Sequence, residues 1–218
     1  MTRPEPTHPF FETWASAPVS WSDEVVKVGD SPIMYAWERP LMEAYAAHLC
    51  RPDVDLLEIG FGMGIFAEAA ARRGVRSHTI VEPHPQILPR AHAFAGDGGD
   101  AVRVLGDYWQ RCQDQLGTYD AIFYDSYSPA DTRLDDLRAF FALAAARLLR
   151  PDGLLAFWVP GSTLGEPIQA AALASFDSLS LTAVRDLEPT PACRERGFGA
   201  TMLVAVAAGP RRRNGASR

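Results

Sequence analysis

The sequence predicts an α/β domain: a mostly parallel, seven-stranded sheet with an antiparallel edge and helices on both faces. Three observations carry this. Short β-rich runs alternate with helical patterns along most of the chain, the signature of a parallel sheet wrapped by helices. The run YDAIFY, Tyr119–Tyr124, is apolar almost throughout, as a strand covered on both faces must be. A glycine-rich turn, Gly60-Phe61-Gly62-Met63-Gly64, joins an apolar run to an Ala-rich helical one.

Taken in order, Val54–Ile59 is the first strand of this sheet, and Gly64–Arg73 the helix that follows. Ser77–Val81 is a strand, Pro85–Phe94 a helix, Ala101–Leu105 a strand and Tyr119–Tyr124 the next strand. An Ala/Leu-rich helix spans Leu134–Leu149, and the turn Arg150-Pro151-Asp152-Gly153 leads into a buried strand at Gly153–Val159. Glu166–Phe176 is a helix. Leu181–Leu187 and Thr201–Ala207 are two strands, joined by a loop through Pro189, Pro191 and Gly197, that form the antiparallel edge.

A chain of 218 residues that is 47% hydrophobic can bury one proper core without disulfides or metal. We divide it into an N-terminal lid or cap (1–50), a ligand-binding domain (51–210) and a disordered, basic tail (211–218). The net charge of -6 argues against a nucleic-acid or anionic-membrane surface and favours a small-molecule acceptor as partner. No apolar run is long enough to span a membrane, and the start of the chain has no signal pattern. Cys50, Cys112 and Cys193 lack paired spacing and read as packing thiols, so the cytoplasm is the expected setting; a homodimer is compatible with it. The histidines His8, His48, His78, His84 and His92 show no ligand spacing, so no metal is expected, and they read as surface or capping residues.

The glycine turn marks where a ligand sits, because open α/β sheets bind ligands beyond the carboxyl ends of their strands. Its spacing is G-x-G-x-G, and Glu58 stands two positions before the first glycine. A carboxylate there repels phosphate but suits a cationic amino acid group. Glu82, at the end of the second strand, can accept hydrogen bonds from ribose hydroxyls. The two acids thus mark opposite ends of one nucleoside, as in S-adenosyl-L-methionine (SAM), with Gly60, Gly62 and Gly64 against it; read singly, the loop is only a tight turn. Asp107 and Trp109 follow the third strand, where Asp107 meets the adenine amine and Trp109 either lies on adenine or packs in the core. Asp125 ends the fourth strand, either beside the reacting centre or capping a loop. Glu38, in Trp37-Glu38-Arg39-Pro40-Leu41-Met42, reads from the residues alone as a helix-start acid.

Several segments together resemble the guanidinoacetate N-methyltransferases and related arginine N-methyltransferases. Trp37–Met42 is similar to that family's W-E-T-P-Y-M, Leu57–Met63 to L-E-V-G-F-G-M, Ile80-Val81-Glu82 to I-I-E, and Tyr119–Tyr127 to F-D-G-I-L-Y-D-T-Y. Arg147–Gly153 and Gly165-Glu166 continue the likeness, which runs from about Trp14 to Ala207. Pro83-His84 and the loop Pro160-Gly161-Ser162-Thr163 depart from the family's Cys-Asn and Asn-Leu-Thr-Ser. The resemblance implies a Rossmann-like class I methyltransferase that uses SAM, releases S-adenosyl-L-homocysteine and methylates a nitrogen of a small guanidino compound. It further implies that Glu38 and Asp125 grip the guanidino group beside the methyl donor and that Tyr127 orients Asp125. Trp14 and Trp37 close a lid, and Gly161 and Ser162 lie near the acceptor's carboxylate. A different acceptor, SAM chemistry without methyl transfer, and a non-catalytic SAM-binding regulator stand beside this reading.

Overall fold

The computed structural model describes residues 10–126 and 132–212. In the N-terminal part, helix α1 (Phe10–Ser16) precedes a small antiparallel sheet of β1 (Val19–Trp21), β2 (Val25–Val28) and β3 (Ser31–Tyr35). The sequence reading assigned no strands here. Their signal is short, a Val-rich run and the two-residue turn Gly29-Asp30; Gly29 at φ 57 supplies the positive dihedral that hairpin turns favour. Helix α2 (Arg39–Leu49) follows, with Pro40 in its first turn, where a missing N–H costs nothing.

The main sheet begins with β4 (Asp55–Ile59), helix α3 (Ile65–Arg73), β5 (Ser77–Val81), helix α4 (Leu88–Gly98), β6 (Val102–Leu105) and the short helix α5 (Trp109–Cys112). It continues through β7 (Tyr119–Tyr124), helix α6 (Arg133–Leu143), β8 (Leu149–Trp158), helix α7 (Glu166–Ser175), β9 (Phe176–Val184), helix α8 (Pro191–Glu195) and β10 (Met202–Pro210). The seven strands lie in the order β6-β5-β4-β7-β8-β10-β9, parallel from β6 to β8, with β10 antiparallel to both its neighbours. The expected sheet and its antiparallel edge are therefore present.

Several boundaries differ from expectation, among them α4, which runs Leu88–Gly98 instead of Pro85–Phe94, and β9 and β10, which end at Val184 and Pro210 instead of Leu187 and Ala207; four differences have a local reason. The helix expected over Leu134–Leu149 ends as α at Leu143 and closes with a π turn over Ala144–Leu148. The turn at 150–153 is absorbed into β8, where the register with β7 jumps between Tyr119 and Ala121. Strand β9 starts at Phe176 because Asp177 and Ser178 face solvent on an edge strand, which leaves no apolar alternation to read. Within the loop through Pro189 and Pro191, Thr190 caps a short helix by accepting the Cys193 N–H at 3.4 Å.

Apolar layers fill both faces of the sheet. One face packs Phe140 and Phe141 of α6 against Tyr124 and Phe157. The other packs Leu41, Met42, Tyr45 and Leu49 of α2 with Phe66 of α3 against Leu56 and Phe123; the Phe66 and Phe123 rings stack at 4.1 Å. Tyr45 reaches through this layer, and its hydroxyl lies 2.9 Å from the Phe157 carbonyl and 3.0 Å from that of Leu203. It fastens α2 to β8 and β10, and α2 in turn places Glu38 above the sheet. Tyr45→Phe is expected to lower unfolding free energy by about 1 to 2 kcal/mol, because buried carbonyls lose their donor. Urea unfolding measures it, and an unchanged midpoint would show that the hydroxyl carries no such tie.

Candidate active site

The carboxyl ends of β4, β5 and β7, together with β3 and the turn after it, enclose a cavity of about 410 Å³. The glycine loop forms part of its wall and requires its glycines. Gly60, Gly62 and Gly64 all have positive φ (92, 55 and 78). A Cβ on Gly60 would stand 2.1 Å from the Asp125 carbonyl oxygen, so only glycine lets the ends of β4 and β7 meet. That junction is tied by the Asp125 N–H on the Ile59 carbonyl at 2.9 Å.

Glu82 is 3% exposed, and its two oxygens accept the Phe61 N–H at 3.0 Å and the His84 N–H at 2.7 Å. It therefore holds the glycine loop in place. Burial pushes its carboxyl up to about 7, against the pull of these backbone donors. Glu58 also lines the cavity, and its Oε2 stands 2.8 Å from His78 Nε2 with both side chains almost wholly buried. Burial raises the Glu58 carboxyl, and His78 opposes that rise.

His78 corrects the expectation that the histidines are surface or capping residues, whereas His84, though buried, keeps a capping contact. His78 sits in a strand covered on both faces and is stabilised there by the acid of the next strand. His84 is buried under Trp14, with ring centroids 4.7 Å apart, and its Nδ1 accepts the Gln86 N–H before α4.

On the far side of the glycine loop, Glu38 and Asp125 enter the same cavity. Glu38 accepts the Tyr35 N–H at 3.1 Å on Oε1 and the Trp158 indole N–H at 3.0 Å on Oε2. Its carboxyl is pushed up to about 7 by burial, which those donors only partly offset. Asp125 is pushed up to about 8, first by burial and then by the charge of Glu38, with Arg133 acting the other way. Both acids strongly favour a cation between them.

Glu38, Glu58, Gly60, Gly62, Glu82, Asp125 and Trp14 thus line one cavity. Gly64 lies just behind it as the N-cap of α3. Among the described residues, the remaining sequence candidates lie off the cavity lining. Trp109 is a core residue packed edge-on to Phe140 at 5.1 Å, and Asp107 accepts the Tyr108 N–H. Trp37 turns its indole N–H to Cys193 Sγ at 3.2 Å, and the exposed Ser162 follows Gly161, whose carbonyl accepts from Leu203. Tyr127 lies outside the described residues. Cavity residues that sequence reasoning missed include Tyr35, Tyr108, Arg133, Trp158, Arg196 and Phe198. Trp158 had a faint signal, since it ends a buried strand that neighbours β7; Arg196 and Phe198 had none, because only folding brings their loop to the site.

Among the described residues, the cavity lining carries four acids, Glu38, Glu58, Glu82 and Asp125, against two arginines, Arg133 and Arg196. That donor set fits a cationic, hydroxyl-bearing nucleoside such as SAM and is hostile to a pyrophosphate. No group of residues suited to hold a metal ion occurs among the described residues.

The raised carboxyls carry a stability consequence. Unfolded carboxyls lose their protons near pH 4, whereas these folded ones retain them to about pH 7 or 8. The folded state therefore binds more protons across that window, and stability falls as pH rises through it, levelling off above about pH 8. Asp125→Asn is expected to stabilise the ligand-free protein at pH 8 by about 2 to 4 kcal/mol and to flatten the pH slope, whereas Glu38→Gln should gain less, because its amide turns a donor at either the Tyr35 N–H or the Trp158 indole. Unfolding curves from pH 5 to 9 test this; a wild type whose stability rises across that range would contradict it.

Comparison with known proteins gives the site its setting. A family model described as guanidinoacetate N-methyltransferase matches residues 7–170. Protein arginine N-methyltransferase 2 of Cryptococcus neoformans is 30% identical over 166 residues, covering 62% of this chain and 44% of that protein. The same-named protein of Neurospora crassa is 30% identical over 158 residues, covering 64% and 36%. The chain thus spans less than half the length of these relatives. Among solved structures, a protein described as a methyltransferase complexed with SAH aligns with TM-score 0.59 at 11% identity, over 88% of this chain and 56% of that one. The ribosomal protein L11 methylase of Lactobacillus delbrueckii aligns with TM-score 0.54 at 19% identity, over 77% and 76%. These structures establish the Rossmann-like class I methyltransferase fold. With the family model matched over well more than half its length, the chain belongs to the guanidinoacetate N-methyltransferase family of SAM-dependent methyltransferases.

Proposed function

We propose that this protein transfers a methyl group from SAM to a nitrogen of a small guanidino compound, such as guanidinoacetate, arginine or a relative. The observation that carries this reading is the convergence of the buried Glu38 and the half-buried Asp125, far apart in sequence, on the cavity that contains the glycine loop. A guanidinium stays protonated up to a pKa of about 12 or higher, so stripping its proton at pH 7 would cost about 7 kcal/mol at roughly 1.36 kcal/mol per pKa unit. When bound, SAM supplies an electrophilic methyl group on a positively charged sulfur. The chain's task is to hold a second cation against it.

Glu58 faces the amino acid end of the nucleoside, and Glu82 the ribose. Glu38, fixed by the Tyr35 N–H and the Trp158 indole, holds one edge of the guanidinium by charge-assisted hydrogen bonds. Asp125 holds another edge, cancels the repulsion and aims one nitrogen at the methyl group. Ionised once the cation is bound, Asp125 takes the nitrogen's proton as or after the new N–C bond forms and the methyl–sulfur bond breaks. Tyr127 orients Asp125 in this reading. Residues 1–50 act as the cap, since β3 and Glu38 form one wall of the cavity, while Trp37 backs Tyr35 by stacking at 5.9 Å. Gly161 and Ser162 serve only as the outer margin of the acceptor region. The buried, free thiols suit the cytoplasmic setting assigned to it, and a homodimer remains compatible.

The fungal relatives are named for protein arginine methylation, which favours a second reading, in which the guanidino group belongs to an arginine side chain of a protein. Both readings use the same two acids. Asp125→Asn should lower kcat by about 100-fold to 1,000-fold while SAM affinity, measured by calorimetry, stays within about threefold. Glu38→Gln should chiefly raise KM, and the double variant should lose less than the product of the single losses, because both acids grip one planar group. Near-normal turnover by Asp125→Asn, or a product methylated on oxygen, sulfur or carbon, would exclude the mechanism.

A further inference from the structure

We propose that β9 is a self-association edge: two copies of the chain join by antiparallel pairing of their β9 strands about a two-fold axis at Leu181, so that the two seven-stranded sheets run on into one another. This interface is independent of the reaction assigned above. Strand β9 is nine residues long and ends the sheet. Strand β10 pairs with its inner edge from Phe176 to Val184, and among the described residues no strand lies against the outer one. That outer edge offers a row of backbone N–H and C=O groups to any strand that approaches.

Edge strands are ordinarily blunted by shortness, charge, proline or a bulge. The opposite edge of this sheet obeys the rule: β6 is four residues long and carries the exposed Arg103. Strand β9 does not. From Ser178 to Val184 it has no charged residue, proline or glycine, and its register with β10 is unbroken over that stretch. The exposed large apolar side chains among the described residues are Leu181 of β9 and Leu173 of α7, the helix that leads into it, at 43% and 42%. Leu179 packs into the same apolar layer as Ala171 and Ala172 of α7, whereas Leu181, two residues on and pointing to the same face, is left uncovered.

The strand is complementary to itself, and that selects a second copy as its partner. A two-fold axis through Leu181 sets Leu181 against its own copy, Ser180 against Thr182 and Leu179 against Ala183. At each end it sets Asp177 against Arg185, the residue that follows the strand, and both are exposed. Apolar thus meets apolar, hydroxyl meets hydroxyl, and two ion pairs close the ends. Directly opposed residues of an antiparallel pair have Cβ atoms about 4.5 to 5.5 Å apart, near enough for each of these pairs to interact. Moving the axis by one residue destroys the match, because Asp177 then faces Ala183 or Arg185 faces Leu179. Within its own chain Asp177 also accepts Arg211 Nε at 2.9 Å, and an exposed carboxylate accommodates both donors. Beyond Arg185 the chain enters the loop that brings Arg196 and Phe198 to the cavity, so the interface lies at the root of one cavity wall.

Sedimentation velocity of the full chain under reducing conditions, from about 1 to 500 µM, measures the association; a dimer with a dissociation constant of about 1 to 100 µM is expected, because one pair of short strands makes a small interface. Leu181→Lys, which sets two like charges face to face on the axis, should abolish it. Asp177→Lys and Arg185→Glu should each weaken it about tenfold, and the double variant should restore it. A loss that came only from the Arg211 contact inside one chain would not be restored in this way. Leu181→Cys should cross-link to its own copy under mild oxidation, while Ser178→Cys, about 20 Å from its copy in this pairing, should not. A wild type that stays monomeric throughout the range overturns the proposal and leaves the edge to a strand of another protein. A dimer that survives Leu181→Lys, or whose loss in the charge variants the double variant does not restore, overturns it equally, since the copies then meet elsewhere.

Discussion

The fold is organised around the cost of burying carboxylates at one place. Glu38, Glu58 and Glu82 are each less than 5% exposed, and with Asp125 they border a single cavity. Burying an unpaired carboxylate is severely unfavourable, so each must be supplied with donors or kept protonated. Glu82 takes two backbone N–H groups from the loop it anchors, Glu58 takes His78, and Glu38 takes the Tyr35 N–H and the Trp158 indole. These contacts explain why the glycine loop, the N-terminal sheet and the end of β8 all meet at one point. A cation bound among these acids would complete the compensation and set the stability of the free protein against affinity for its ligand at these positions.

Much of this architecture was legible in the residues. Ser77–Val81 and Tyr119–Tyr124 have the same limits in sequence and structure, because central parallel strands are apolar on both faces and end abruptly. The glycine loop and its flanking acids were legible because bare backbone and strand-end acids are local chemistry. What was not legible depends on neighbours distant in sequence. His78 looks like any polar residue in a strand until Glu58 appears beside it on β4. Trp158 reaches Glu38 only because β8 lies next to β7, and Arg196 reaches the cavity only because the β9–β10 connection folds back onto Tyr35 of β3. Strand β9 was shortened in the sequence reading because an edge strand with one solvated side carries little apolar pattern.

Trp109 illustrates a different limit. Its position after β6 allows either a nucleoside contact or core packing, and the two demand the same residue type. The structure places its ring against Phe140, within the layer that supports the sheet from below. Tyr108, one residue earlier, faces the cavity instead and is bound through its hydroxyl to the Phe11 carbonyl of α1 at 2.9 Å. A one-residue difference in phase decides which aromatic lines the cavity and which packs in the core.

If Glu38 and Asp125 are the seat of acceptor binding, a cationic acceptor must drive them from the protonated to the ionised form. Calorimetric titration of the acceptor into the protein with SAH, repeated at pH 7 in buffers of different ionisation enthalpy, measures the protons released. Release of roughly one proton per acceptor is expected, falling to none in the Glu38→Gln, Asp125→Asn double variant. Acceptor binding whose heat is independent of the buffer in the wild type would contradict the central role given to these two acids.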